Sequence, residues 1–212
     1  MQYEYEALCV SIVSLIFAFI GGCFALLQWR KSLVYKRTEI VQALIVSTRE
    51  DKNVSAIMDI IDWNEDFLYD GRFVVNKNTS RTMLKDLSDD DLFKMVDHTL
   101  SIFSYICYLK SVGTIKGTDM RFFEYEIHRI IDNCHIRNYL YSLYHWSDSL
   151  GVNMSFSYLV DYCLKKKYLD KSFKVYSESH PYCKCFLCIK PSYQSSLFFS
   201  LRRDKFFFRK RS

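Results

Sequence analysis

His180, Cys183, Cys185 and Cys188 form the densest group of reactive side chains, all within the nine residues HPYCKCFLC. Thiolates spaced C-x-C-x-x-C beside an imidazole are soft ligands that can hold zinc or an iron–sulfur centre. Strong zinc motifs come as two separated ligand pairs, however, and four ligands in so short a stretch leave little chain to wrap a tetrahedron. Free or lipid-bearing thiols beside a membrane are therefore the expectation, with no metal assigned. A second set, Glu124, His128, Asp132 and His135, falls at i, i+4, i+8 and i+11 and would line one side of a continuous helix with ligands suited to zinc or iron. No second ligand pair completes that site, and a helix break is expected near Asn133, so a solvated rim is the reading taken. The third group is the terminal LRRDKFFFRKRS, where Arg202, Arg203, Lys205, Arg209, Lys210 and Arg211 face only Asp204, a net +5 that equals the formal charge of the whole chain. With Phe198, Phe199, Phe206, Phe207 and Phe208 interleaved, this tail suits contact with anionic lipid, each base gaining up to about 1 kcal/mol. The same composition could grip a phosphate backbone and stack bases, and direct nucleic-acid binding ranks second.

Little else in the chain suggests catalysis. The five His are scattered, no Ser or Cys sits in a recognisable nucleophile elbow, and the six Gly at 21, 22, 71, 113, 117 and 151 form no nucleotide fingerprint. A protein that is not an enzyme and needs no cofactor is expected. Two of the eight Cys, Cys9 and Cys23, lie in an apolar run, and Cys107, Cys134 and Cys163 sit in helical patterns, which favours reduced, buried thiols over a disulfide framework.

The element that must position these groups is the stretch from Leu8 to Gln28, 21 residues without a charge between Glu6 and Trp29-Arg30-Lys31. At ~1.5 Å per residue it reaches across roughly 30 Å of hydrocarbon, so it is read as a membrane-spanning helix. It lacks a basic leader and an Ala-x-Ala site, which favours a retained anchor over a cleaved signal. Glu4 and Glu6 precede it and Arg30, Lys31, Lys36 and Arg37 follow, predicting an outward N-terminus and a cytoplasmic bulk at the inner membrane. Ser11, Ser14, Ala18, Gly21 and Ala25 recur at alternating intervals of three and four, a small-residue stripe that would let two spans approach and self-associate.

Beyond the span, Leu33, Val34, Ile40, Val41, Leu44 and Ile45 continue a helical period to Thr48, predicting a stalk. A short helix through Val54, Ile57, Met58 and Ile61 follows a cap at Asp51-Lys52-Asn53, and residues 65–85 read as turn and loop. Ser88 followed by Asp89, Asp90 and Asp91 opens a helix that Gly113 stops. Its apolar centre, in residues 92–112, raises a second span, but only 11 residues separate His98 from Lys110, so a core helix is expected. Helices are predicted over 119–132, with Met120, Phe123, Ile127 and Ile130 inward, over 136–149, with Tyr139, Leu140, Leu143 and Trp146 inward, and over 156–167, capped by Ser155. No alternating run long enough for a strand stands out. The expected fold is all-α: an outer segment 1–7, a span 8–28, a cytoplasmic domain of about five helices over 29–168, and a Cys-containing basic and aromatic tail over 169–212.

WRKSLVYKRTEIVQAL, IIDWNEDF and RIIDNCHIRNYLY, in that order after the span, resemble a group of small bacterial membrane proteins of unknown function with one N-terminal span and a cytoplasmic helical domain, over residues 8 to 168. The Lys, Ile, Asn, Tyr and Phe bias is also similar to that of AT-rich mobile genes. Such a protein resembles the effector of bacterial antiphage systems, including retrons, in which a reverse transcriptase and its noncoding RNA are paired with a transmembrane protein. The resemblance implies abortive infection by permeabilising the inner membrane, with that complex as partner and no catalytic residue to carry over.

Overall fold

A computed structural model describes residues 2–62, 67–69, 71–75, 87–177 and 180–182, with side chains from residue 11 onward. Helix α1 runs unbroken from Gln2 to Glu50, and its 49 residues extend roughly 74 Å at ~1.5 Å each. No Pro occurs in it, and Gly21 and Gly22 pass without a break. Residues 1–47 and 48–212 form separate compact units, so most of α1 stands as a unit of its own.

The second unit is mostly helical. Helix α2 (Lys52–Asp62) is capped by Asp51, whose Oδ1 accepts the amides of Asn53 at 2.8 Å and Val54 at 3.0 Å. It buries Val54, Ile57, Met58, Ile60 and Ile61 on one face. Helix α3 (Asp89–Ser111) starts where the sequence placed it: the Ser88 hydroxyl accepts the Asp91 amide at 3.1 Å, three carboxylates sit in the first turn, and Gly113 ends the run at φ 79°. Leu92, Val96, Leu100, Phe103 and Cys107 are all buried, and α3 packs against α2, against the strand Phe73–Val75 and against the helix Ser157–Lys166. It is a core helix of this unit, as its length argued, and its Asp97 accepts a hydrogen bond from Tyr139 on the helix Cys134–Ser149.

Helices α4 (Arg121–Asp132), α5 (Cys134–Ser149) and α6 (Ser157–Lys166) follow. The break between α4 and α5 falls at Asn133, in extended backbone, and its side chain accepts the amides of His135 and Ile136 at 3.0 and 3.1 Å. Asp119, expected inside α4, instead accepts the Lys116 amide at 2.7 Å and shapes the turn before it. Ser155 does not cap α6: Phe156 occupies that position without a side-chain hydrogen bond, and Ser155 stays exposed. Its far end closes at Lys167 with φ 63°, a left-handed cap taken here by a residue that pays some strain for it.

The described residues are mostly helical, as the all-α expectation had it, and two local features add to that outline or shift its boundaries. Phe67–Tyr69 and Phe73–Val75 form a two-stranded antiparallel hairpin, β1 and β2, with Phe67 opposite Val75 and Tyr69 opposite Phe73. Each strand buries its outer residues and exposes the middle one, and Gly71 turns the chain at φ 74°. Residues 169–177, assigned to the tail by sequence, fold back on α5 through a short 3-10 turn at Lys171–Lys174, burying Leu169 and Phe173.

Candidate functional site

The exposed surface of the first unit is its chemistry. From Ser11 to Arg30 every residue of α1 is exposed, and Leu15 and Phe19 are each 73% so. It is the one helix among the described residues long and apolar enough to cross a membrane. A helix apolar on all sides has no face to present to water, so its surface matches hydrocarbon rather than a core. Ser11, Ser14, Ala18, Gly21 and Ala25 lie on it in the expected order, and a Cβ added at Gly21 would meet nothing within 4 Å. Leu15, Ile16, Ala18 and Phe19 line a shallow apolar groove around the smallest of them.

The four-residue set of Glu124, His128, Asp132 and His135 is divided among separate partners. Glu124 accepts from the Tyr162 hydroxyl at 2.8 Å and pairs with Lys166, and these bonds hold its carboxyl below the usual range. His128 Nδ1 meets Asp132 at 2.8 Å on an exposed surface. His135 lies past the break at Asn133, where its Nδ1 accepts the Tyr69 amide at 3.1 Å and so belongs to the hairpin. The break turns the last imidazole away from the first three, because the i+11 spacing requires one continuous helix.

Of the thiols that the sequence reads as buried, Cys107 on α3 and Cys163 on α6 are so, whereas Cys134 and Cys23 are not. Cys107 and Cys163 are free and buried, and burial pushes the Cys107 thiol up to about 12 and Cys163 higher still, so neither is a thiolate at neutral pH. Cys134 is free and half-buried, and Cys23 is free and exposed on α1. Cys183, Cys185 and Cys188, and the tail bases Arg202, Arg203, Lys205, Arg209, Lys210 and Arg211, lie outside the described residues. His180 is described, and its ring stacks on Tyr141 at 4.5 Å and 14°.

That contact opens onto an arrangement the sequence did not signal. The ring of Tyr141 on α5 meets His145 edge-on at 4.4 Å and stacks with His180 at 4.5 Å. Its hydroxyl donates to the Val175 carbonyl at 3.1 Å and accepts the Ser177 amide at 3.0 Å. His145 Nε2 donates to the Phe173 carbonyl at 2.9 Å, and Arg137 lies 5.0 Å over the Tyr182 ring. Leu143 and Trp146, expected inward on α5, are only half-buried, whereas Tyr141 and His145 on the same helix are buried. The only sequence signal for this was the recurrence of aromatic and imidazole residues on both segments, which periodicity cannot pair. On α3 and α6, Tyr105, Tyr108 and Tyr158 form an exposed cluster, with Tyr108 6.2 Å from Tyr105 and 5.0 Å from Tyr158. Comparison with protein families, with curated proteins and with solved structures finds no match to this chain.

Proposed function

We propose that this protein is a membrane-anchored effector that acts on the bilayer holding it. In this reading α1 spans the inner membrane with its N-terminus outside, and the helical unit lies on the cytoplasmic side, restrained by a partner complex. Release lets spans associate through Ser14, Ala18, Gly21 and Ala25 and perturb the membrane, while the tail bases from Arg202 to Arg211 hold anionic lipid. The observation that supports it is the uninterrupted exposure of an apolar surface from Ser11 to Trp29, which in water would be an aggregation hazard and in hydrocarbon is fully accommodated. An antiphage setting, with a reverse transcriptase and its noncoding RNA as the restraining partner, is proposed on the sequence resemblance alone.

The test is dye entry into cells expressing the chain alone, with its neighbouring genes, and under phage infection. The expectation is leakage when the restraint is absent or relieved; unchanged permeability and growth in every arm would sink the proposal. Gly21→Leu and Ala18→Leu should keep the chain in the membrane while reducing cross-linking between spans, because Leu favours insertion but blocks close backbone approach. A second reading, a passive anchor or adaptor for a signalling or nucleic-acid complex, is favoured by the exposed Tyr105, Tyr108 and Tyr158 cluster, a surface of the composition that protein partners use. There, deleting the span mislocalises the partner without altering leakage.

A further inference from the structure

Helix α4 turns two of its rings outward. Phe122 is 60% and Tyr125 68% exposed, the two most exposed rings of the second unit among the described residues. They stand three residues apart, and Arg121 and His128, four before and three after Tyr125, share its side of the helix. The surface continues onto the end of α6. Lys166 pairs with Glu124, the Tyr162 hydroxyl donates to the same carboxylate at 2.8 Å, and the His128 ring lies 5.0 Å from Tyr168. Exposed Lys165, Lys166 and Lys167 close α6 there, near enough to Arg121 that its charge acts on both Glu124 and Lys166. The neighbouring carboxylates are already engaged: Glu124 by Lys166 and Tyr162, Asp132 by His128 at 2.8 Å, and Asp161 by Lys174 at 3.2 Å. Among the described residues Arg121, Lys165 and Lys167 make no ion pair. The dipole of α6 favours bases at its end, yet it gives no reason for bare rings on α4.

We propose that the outer face of α4 and the end of α6 dock on an anionic phospholipid surface, with Phe122 and Tyr125 entering the interface and Arg121, Lys165 and Lys167 meeting headgroup phosphates. The inference rests on the membrane reading, because α1 is what holds the unit beside a bilayer, but it needs neither a partner nor assembly of spans. It is also separate from the tail, since every residue it uses belongs to the folded helices. Rings flanked by bases are the composition that helices at a lipid boundary use: the ring bodies leave water while the charges stay at the headgroups. Each unpaired base then meets a surface of opposite sign. A nucleic acid offers the same phosphates but stacks its bases on open ring faces. One face of Tyr125 is occupied by the Arg129 guanidinium, 5.3 Å from the ring centroid and held there by Asp62 and by the Met58 carbonyl at 3.1 Å. Lipid, which needs no stacking, is the better fit.

The test is amine acylation, read by mass spectrometry, on the full chain in nanodiscs of phosphatidylcholine with and without phosphatidylserine. Lys165 and Lys167 should label about threefold or more slowly in the anionic discs, while exposed Lys94 on α3 labels equally in both. In about 1 M salt, where the Debye length falls to about 3 Å, the difference should vanish. Substituting Phe122→Ser and Tyr125→Ser, with the tail untouched, should restore the neutral-disc rates while the chain stays inserted. Should that variant fail to fold, Arg121→Gln, a change at an exposed position, must weaken the protection instead. Equal labelling in both discs, or full protection in the substituted chain, overturns the docking face. Protection that appears only when single-stranded RNA is added assigns the surface to nucleic acid and overturns the lipid. A chain that does not enter the discs at all overturns the membrane reading and this inference together, whereas an inserted chain with unprotected lysines overturns this one alone.

Discussion

The Tyr139 hydroxyl donates to Asp97 Oδ1 at 3.0 Å inside the contact of α3 and α5, and burial raises the Asp97 carboxyl above the ordinary range despite that bond. An acid whose folded pKa is raised binds more protons folded than unfolded, so its contribution to stability declines as pH rises from the ordinary carboxylate range through the folded value. Asp97→Asn keeps an acceptor for Tyr139 and removes the ionisation. The variant should be at least as stable as the parent at pH 7 in urea titrations, with the difference shrinking toward pH 4; a gap that widens with acid would count against this account. At Ser88 the reasoning is simpler. Ser88→Ala removes the acceptor of the Asp91 amide and should cost about 1 kcal/mol. In a unit of this size that corresponds to a midpoint lower by about 2–4 °C on thermal unfolding.

Elements here are held by residues lent from their neighbours. The hairpin is too short to stand alone, and its edges are closed by His135 Nδ1 on the Tyr69 amide and by Asp89 Oδ1 on the Val75 amide at 3.0 Å. Its inner face supplies Phe67, Tyr69 and Phe73 to a set of rings that includes Tyr139 and Phe93. His135→Ala leaves a part-buried amide without its acceptor and should cost about 1–3 kcal/mol, with faster exchange at Tyr69 before any change in α3. The central helix is less forgiving. Phe103→Ala opens a void where the ring was fully buried and should cost about 3–5 kcal/mol, read by urea titration.

For the whole molecule the division at residues 47 and 48 matters most, because it separates a unit with a buried core from one whose helix is long and apolar enough to span a membrane. The second folds around its own apolar interior, while the first leaves its apolar side chains exposed from Ser11 to Arg30. Phe19→Arg places a charge midway along that apolar stretch at an insertion cost of about 2.5–3.5 kcal/mol. The alkali-resistant membrane fraction should drop while the circular dichroism of the helical unit stays unchanged. Full retention in the membrane would show that a segment other than 8–28 anchors the chain.

Period and end signals were legible wherever an element's neighbours in sequence decide its form. The uncharged run in α1, the Ser88 cap with its three carboxylates, the Asp51 cap and the break at Asn133 could all be read directly, because each depends on contacts within four residues. The hairpin had a local sign, an Asp-Gly pair between FLY and FVV, but three-residue strands are too short to show alternation against a helical background. The separation of Glu124, which meets Tyr162, from His135, which meets Tyr69, and the return of residues 169–177 to Tyr141 and His145, were decided only in three dimensions. They join positions 28 to 66 residues apart, and which aromatic or imidazole meets which is set by the packing of whole helices, to which a linear period is blind.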